Sequence, residues 1–267
     1  MNQINCGIIG SSVAAFRHSH TLNLDHHFSL KAIYSEDEKA SILTAKRHKI
    51  ETITKDSEYL LENEDVDLVV LALPTSLHLS FTLYALSFSK IVVVESPIVR
   101  SLVEWEKLYN AINDGAFVFN GNCFLYSPLL RKIKGQKGEF SLYLGYASIE
   151  REEALIITLE TLTFLFGDVL SVTDKSSDEL GLSASISCAL SSGKIRIIRD
   201  SFDRGLSFSF NGKEEIVDES FYSSIAFLYS HVYSILENGG DNLQEIECSR
   251  MALNAIETFW PFAVFSG

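Results

Sequence analysis

Cysteine is scarce and scattered in this chain. Cys6, Cys123, Cys188 and Cys248 stand far apart, with no Cys-x-x-Cys pair and no compact framework. That spacing excludes a disulfide-stapled fold and the common zinc patterns, and it suits reduced thiols in the cytoplasm. Long apolar runs are missing as well. None reaches the roughly 18 residues that a membrane span takes, so no membrane partner is expected. No basic region precedes the first apolar run, as a secretory signal would require. Positive charge is in deficit, with 22 Lys and Arg against 35 Asp and Glu and a formal charge of −13. Nucleic acids and anionic bilayers are bound by clustered Lys and Arg, so this deficit argues against both and describes a solvated acidic surface. Biased tracts and internal repeats are also absent.

What is present is an ordinary globular composition, 46% hydrophobic and 21% charged over 267 residues, enough for one large domain or two modest ones. Ile4–Ile9 is an apolar strand ending at Gly10, and a helix through Leu22 follows. Leu30–Tyr34 is the next strand. Glu36–His48 is the next helix, with Ala40, Leu43 and Ala45 expected inward. Asp56–Glu62 reads as a short helix. Trp105, Leu108, Tyr109 and Ile112 recur at helical spacing ahead of a strand near Phe117–Phe119. Alternation of this kind describes a doubly wound parallel sheet.

Beyond about Asn120 the rhythm changes, without a Pro- or Gly-rich linker. Leu155–Phe166 is an apolar helical stretch ending at Gly167. Strand-like runs follow at Leu182–Leu190, Lys194–Arg199, Leu206–Phe210 and Glu215–Val217. Gly193 is expected to mark a turn, and Asn211-Gly212 is a strong hairpin signal. Two helices, roughly Phe221–Leu236 and Leu243–Phe259, close the chain.

The stretch from Val66 to Pro97 is the most informative. Two β-branched runs, Leu68–Leu73 and Ile91–Val94, flank an amphipathic segment of helix length. Strand, crossover helix, strand is the unit of a parallel sheet, and continuously apolar strands mean that both faces are covered. Ligands of such sheets sit beyond the carboxyl ends of the strands, which here carry Leu73, Pro74, Thr75, His78, Glu95, Ser96 and Pro97.

This arrangement resembles the Gfo/Idh/MocA family of nicotinamide-dependent oxidoreductases, in which a strand, Pro, a His four residues on, a helix, a strand and Glu-Lys-Pro follow in order. Pro74, His78, Glu95 and Pro97 match, and Ser96 stands where the family has lysine. The resemblance covers the whole chain. It implies an α/β Rossmann-type doubly wound parallel sheet over residues 1–120 and a second α+β domain with a largely antiparallel sheet over 121–267, short for the family. It further implies NAD or NADP as cofactor, a small-molecule substrate and a homodimer. The open sheet of the second domain would be the dimer face, since an exposed apolar sheet needs covering.

In a dinucleotide fold the first glycine of the turn permits the bend, the second admits the pyrophosphate and the third allows close helix packing. Those positions are Gly10, Ser12 and Ala15, so Gly10, Ser11, Ser12 and Val13 are the expected phosphate cradle at a helix amino terminus. Ser12 adds a Cβ where phosphate should approach; the alternative is a serine-rich cap that binds nothing. Ser35 ends the second strand and is placed to meet the ribose. Glu36 and Asp37 would repel a 2′-phosphate, which favours NAD, or they merely start the next helix favourably. The resemblance places His78 near the nicotinamide, against a bland reading as a helix-start histidine bonded to backbone. His18, His20, His26 and His27 lack His-Glu-x-x-His spacing and are expected on the solvated surface, with no metal.

Three polar positions that the family uses on its substrate face are replaced: Ser96 for lysine, Leu125 for the basic residue before Tyr126-Ser127-Pro128, and Ile157 for a histidine. A lysine ammonium can be tuned to trade protons near neutrality, while an unassisted serine cannot. The resemblance thus implies a reductase of an imine or conjugated acceptor rather than a polyol dehydrogenase, with Tyr126 and Glu153 as the remaining proton-donor candidates. The alternative is a catalytically inactive pseudoenzyme retained as a nucleotide-binding or dimeric scaffold.

Overall fold

The computed structural model describes residues 3–10, 12–54, 56–113, 115–201 and 205–260, with backbone alone for 214–219 and 222. The chain divides into two compact units. The first comprises Met1–Gly121 with Tyr229–Asn242, and the second comprises Asn122–Leu228 with Leu243–Gly267.

The first unit alternates strand and helix: β1 (Ile4–Ile9), α1 (Val13–Leu24), β2 (Phe28–Tyr34), α2 (Glu38–His48), β3 (Thr52–Thr54), α3 (Ser57–Glu62), β4 (Leu68–Leu71), α4 (Thr75–Ser87), β5 (Ile91–Val94), α5 (Leu102–Asn113) and β6 (Val118–Asn120). Its six strands form one sheet in the order β3-β2-β1-β4-β5-β6. Every pairing is parallel. Ile8, Ile9, Leu68 to Leu71 and Val92 to Val94 are fully enclosed, as continuously apolar strands require when helices cover both faces. The strand order reverses between β1 and β4, which is where such sheets open a crevice.

The helices are set by caps as much as by apolar stripes. Asp37 and Asp56 accept backbone N–H groups at the starts of α2 and α3. The inward face of α2 differs from the expectation. Ser41, Thr44, Ala45 and His48 are buried, while Leu43 is 71% exposed and Ala40 only half-buried. Period alone does not choose which stripe of a weakly apolar helix turns inward.

The second unit starts with a 3₁₀ turn, Cys123–Tyr126, then α6 (Pro128–Ile133), β7 (Gly138–Tyr146), α7 (Arg151–Phe166), β8 (Val169–Ser177), β9 (Gly181–Cys188), β10 (Ser191–Arg199), β11 (Gly205–Phe210), β12 (Lys213–Glu219), α8 (Phe221–Asn238) and α9 (Leu243–Phe259). The residues of α8 from Tyr229 on group with the first unit. The sheet runs β12-β11-β7-β10-β9-β8. It is antiparallel except for the β7–β10 pair.

Asn211 and Gly212, at φ +53° and +69°, turn β11 into β12 as the sequence predicts. Gly193, by contrast, lies inside β10, where an added Cβ would run into the carbonyl oxygen of Phe140 on β7. It serves a close strand approach, not a turn. β7 and β8 escape the sequence reading: two glycines and a serine interrupt the pattern of the first, and the second is a largely exposed edge with six polar residues of nine.

One sheet face is apolar and enclosed. Phe140, Phe208 and Phe210 of the strands stack with Phe166 of α7 at centroid distances of 5.4–6.2 Å. Every residue of α7 from 154 to 166 is buried. The other face carries Ser141, Ser183, Ser185, Ser187, Ser207 and Ser209, aligned by register, the first exposed and the other five half-buried. It is serine-rich rather than the apolar surface expected.

Candidate functional site

The carboxyl ends of β1, β4 and β5 assemble most of the predicted cofactor residues in the first unit. Gly10 follows β1 at φ +134°, and an added Cβ would enter the carbonyl of Ala72 beyond β4. Only glycine lets these two strand ends approach so closely. Ser12 is the N-cap of α1, its Oγ accepting from the Ala15 N–H at 3.3 Å and donating to the Ala72 carbonyl at 3.5 Å. Its hydroxyl is thus engaged both by its own helix and by the Ala72 carbonyl. Ser12 and Val13 are exposed at the helix start, where backbone N–H groups lack intrahelical acceptors. Ala15 is fully buried, as the third position of the glycine turn requires. Ser11 lies outside the described residues.

A dinucleotide fits this end of the sheet. The glycine-only approach of β1 to β4 keeps the crevice floor flat, and α1 aims its amino terminus at it. Gly10, Ser12 and Val13 would hold the pyrophosphate. At the end of β2, the Ser35 Oγ accepts the Asp37 N–H at 3.0 Å, and Asp37 in turn caps α2 by accepting from Ala40. Glu36 and Asp37 are exposed there.

Leu73 is half-buried, Pro74 exposed and Thr75 buried at the turn from β4 into α4. His78 is 1% exposed, with Nδ1 at 2.8 Å from the Pro97 carbonyl and Nε2 at 2.8 Å from the Leu73 carbonyl. It ties the turn after β4 to the turn after β5, which is the backbone-bonded role weighed against cofactor contact. Ser96 is 6% exposed, where a long lysine would have had to reach out.

Glu95 shows what the sequence reading missed. Its Oε1 lies 2.6 Å from His18 Nε2, and His18 Nδ1 lies 2.7 Å from the Tyr229 hydroxyl. His18 is therefore not a surface residue; its ring is completely enclosed, as is Tyr229. Burial holds the Tyr229 phenol well above the ordinary tyrosine range, helped by nearby Cys6 and Glu95. The signal was in the helix: His18 shares the spacing of buried Ala15, Ser19 and Leu22. His20 and His26 are exposed. Asp25, His26 and His27 gather ligand atoms within 4.8 Å of one another on the turn after α1, where His27 Nδ1 is bonded to Asp25.

The second-unit candidates occupy supporting positions. Tyr126 is 3% exposed beside the Arg131 guanidinium, 5.5 Å from its ring centre. Burial, then Glu245 and Cys248, hold its hydroxyl well above the ordinary range. Arg131 Nε donates to the Leu125 carbonyl and its terminal nitrogen pairs with Glu245 at 2.5 Å. Glu153 Oε2 accepts the Glu150 N–H at 3.0 Å, completing a capping box at the start of α7. Glu160, wholly enclosed, accepts from Ser249 Oγ at 2.6 Å and Asn122 Nδ2 at 3.0 Å.

A parallel sheet of this order, with a glycine turn and a capped helix at its reversal, defines a Rossmann-type dinucleotide-binding fold beside a second α+β unit. A family model described as "Oxidoreductase family, NAD-binding Rossmann fold" matches residues 4–119. Over this domain the chain is similar to the Gfo/Idh/MocA oxidoreductases.

An oxidoreductase of Formosa agariphila is 31% identical over 112 residues, covering 42% of this chain and 35% of that protein. The chain thus spans about a third of the length of that curated relative. A crystal structure of an oxidoreductase from Agrobacterium radiobacter in complex with NAD+, L-tartaric acid and magnesium has a TM-score of 0.81 at 13% identity, covering 100% of this chain and 98% of that one. A 3-ketoreductase from Actinomadura kijaniata in complex with NADP and TDP-benzene has a TM-score of 0.75 at 16% identity, covering 96% and 98%. At such identities the two crystal structures establish the fold alone.

Proposed function

We propose that the chain is an NAD(P)-dependent reductase of a small molecule bearing an imine or conjugated acceptor, and that it does not oxidise polyols. The observation that carries the reading is the β5 end, where a buried serine, Ser96, stands in the place of the family's lysine next to the half-exposed carboxylate of Glu95. A bound dihydronicotinamide supplies hydride, and transfer to an electron-poor carbon depends on placement more than on a strong local base. Gly10, Ser12 and Val13 hold the phosphates, Ser35 meets the ribose, and Leu73, Pro74, Thr75 and His78 shape the floor with Glu95 and Ser96. The exposed carboxylates of Glu36 and Asp37 disfavour a 2′-phosphate and support NAD.

Titration with NADH and NADPH, followed by nicotinamide fluorescence, tests this. Micromolar binding, tighter for NADH, is expected, followed by turnover of imines or conjugated carbonyls. Absence of binding at millimolar nucleotide overturns the reading and leaves the second one, a pseudoenzyme scaffold, which the Ser12 side chain in the glycine turn favours. Four buried free cysteines suit a reducing cytoplasm. Assembly as a homodimer, the usual symmetric state, is checked by sedimentation.

A further inference from the structure

Glu95, His18 and Tyr229 form a chain of hydrogen bonds from the end of β5 through α1 to α8, wholly within the first unit. Resting on the reductase reading above, we infer that this chain is the proton store of the reaction: Glu95 hands the proton to the acceptor, and His18 and Tyr229 are its positioning residues.

The chemistry follows from burial and distance. His18 has no exposed surface, while the Glu95 side chain is 24% exposed, so a proton held at His18 leaves through Glu95. A buried imidazolium needs a counter-ion, and Glu95 Oε1 supplies one at 2.6 Å. The Tyr229 hydroxyl serves both ring states: it accepts from Nδ1–H when the ring is charged and still does so once Nε2 has given its proton to Glu95. Its phenol, held protonated by burial, never competes as an anion. Among the described residues, Cys6 on β1 faces Tyr229, and behind Cys6 stand Asp67 and Asp25.

Reduction consumes one hydride and one proton. The proton moves as the His18 Nε2–H bond breaks and a Glu95 O–H bond forms. That O–H bond then breaks as the acceptor's N–H or O–H bond forms, using the electron pair released from its double bond. A solvent proton entering at Glu95 recharges the ring.

Nitrogen-15 NMR of the imidazoles in the full nucleotide-free chain, between about pH 5 and 9, reads the store directly. The ring that has given up its proton through Glu95 is expected to be protonated at Nδ1 alone. Glu95→Gln takes away the carboxylate acceptor of Nε2–H and is expected to change the protonation profile of the ring. Tyr229→Phe, which preserves volume, loses the single neutral tautomer. In wild type, NADH affinity measured by fluorescence changes up to about tenfold across the midpoint, the equivalent of one unit of linkage. In His18→Gln the profile is flat.

A ring that keeps one protonation state throughout, or a midpoint unmoved by Glu95→Gln, overturns the inference. So does an NADH profile in a folded His18→Gln that matches wild type, with the reductase reading intact. If His18→Gln does not fold, Tyr229→Phe decides, and an unchanged tautomer there overturns the inference equally. Normal His18 titration in a chain that binds neither NADH nor NADPH overturns the reductase reading and this use of the pair with it.

Discussion

Each unit buries a carboxylate among polar partners, and the two are closed differently. In the second unit Glu160 is wholly enclosed, one oxygen taken by Ser249 and the other by Asn122, and neighbouring Glu245 is paired with Arg131. In the first unit Glu95 keeps 24% of its side chain exposed at the end of β5 while its inner oxygen is held by His18. A sealed network fixes packing, because every polar atom it leaves unpaired costs free energy. A network with one open end can also exchange protons with whatever lies beside it.

The contrast can be broken by substitution. Phe166→Ala removes the aromatic stack that the second sheet closes on, and about 4 kcal/mol of stability is expected to go with it. Urea denaturation measures this, and a loss below about 1 kcal/mol would mean that the unit is not held by that stack. Arg131→Met strands Glu245, whose side chain is 7% exposed. Since the arginine is a third exposed, about 2 kcal/mol is expected rather than the full buried-pair value. Glu95→Gln should cost much less in the same assay while changing NADH affinity, which is the signature separating an open network from a sealed one.

Smaller effects sharpen the first unit. Ser12→Ala removes the cap of α1 and should cost about 1 kcal/mol. Ser12→Gly should cost only a few tenths, and NADH should bind several-fold tighter if the serine Cβ obstructs the pyrophosphate. The smallest effect concerns His48, buried against Phe16 and His20. Burial, then His20 and Arg47, lower its proton affinity in the folded chain. The unfolded chain therefore binds more protons as pH falls, so this stabilisation is complete above about pH 6.5 and is lost progressively below it. The drop in urea midpoint between pH 7 and pH 5 should shrink in His48→Gln.

Much of the fold was legible because its signals are local. Apolar runs announced β1, β4 and β5, and Asn211-Gly212 announced its hairpin. Gly10 at the end of β1 announced the crevice. What escaped lay where local pattern is silent or misleading. β8 is polar because it is an exposed edge, α2 turns Ser41, Thr44 and His48 inward instead of Leu43, and Gly193 serves a neighbour that is 53 positions earlier. His78 stands at the carboxyl edge of the parallel sheet, and its two carbonyl partners come from separate turns that no local pattern joins.

By itself the sequence determined the class of fold and which residues stand at the carboxyl edge of its parallel sheet, since strand, helix and turn preferences act over a few residues. Only the tertiary structure decided which titratable groups meet there. His18 touches Glu95 77 positions away and Tyr229 211 positions away. Contacts of that range depend on how helices seat against a sheet, which composition and period leave open.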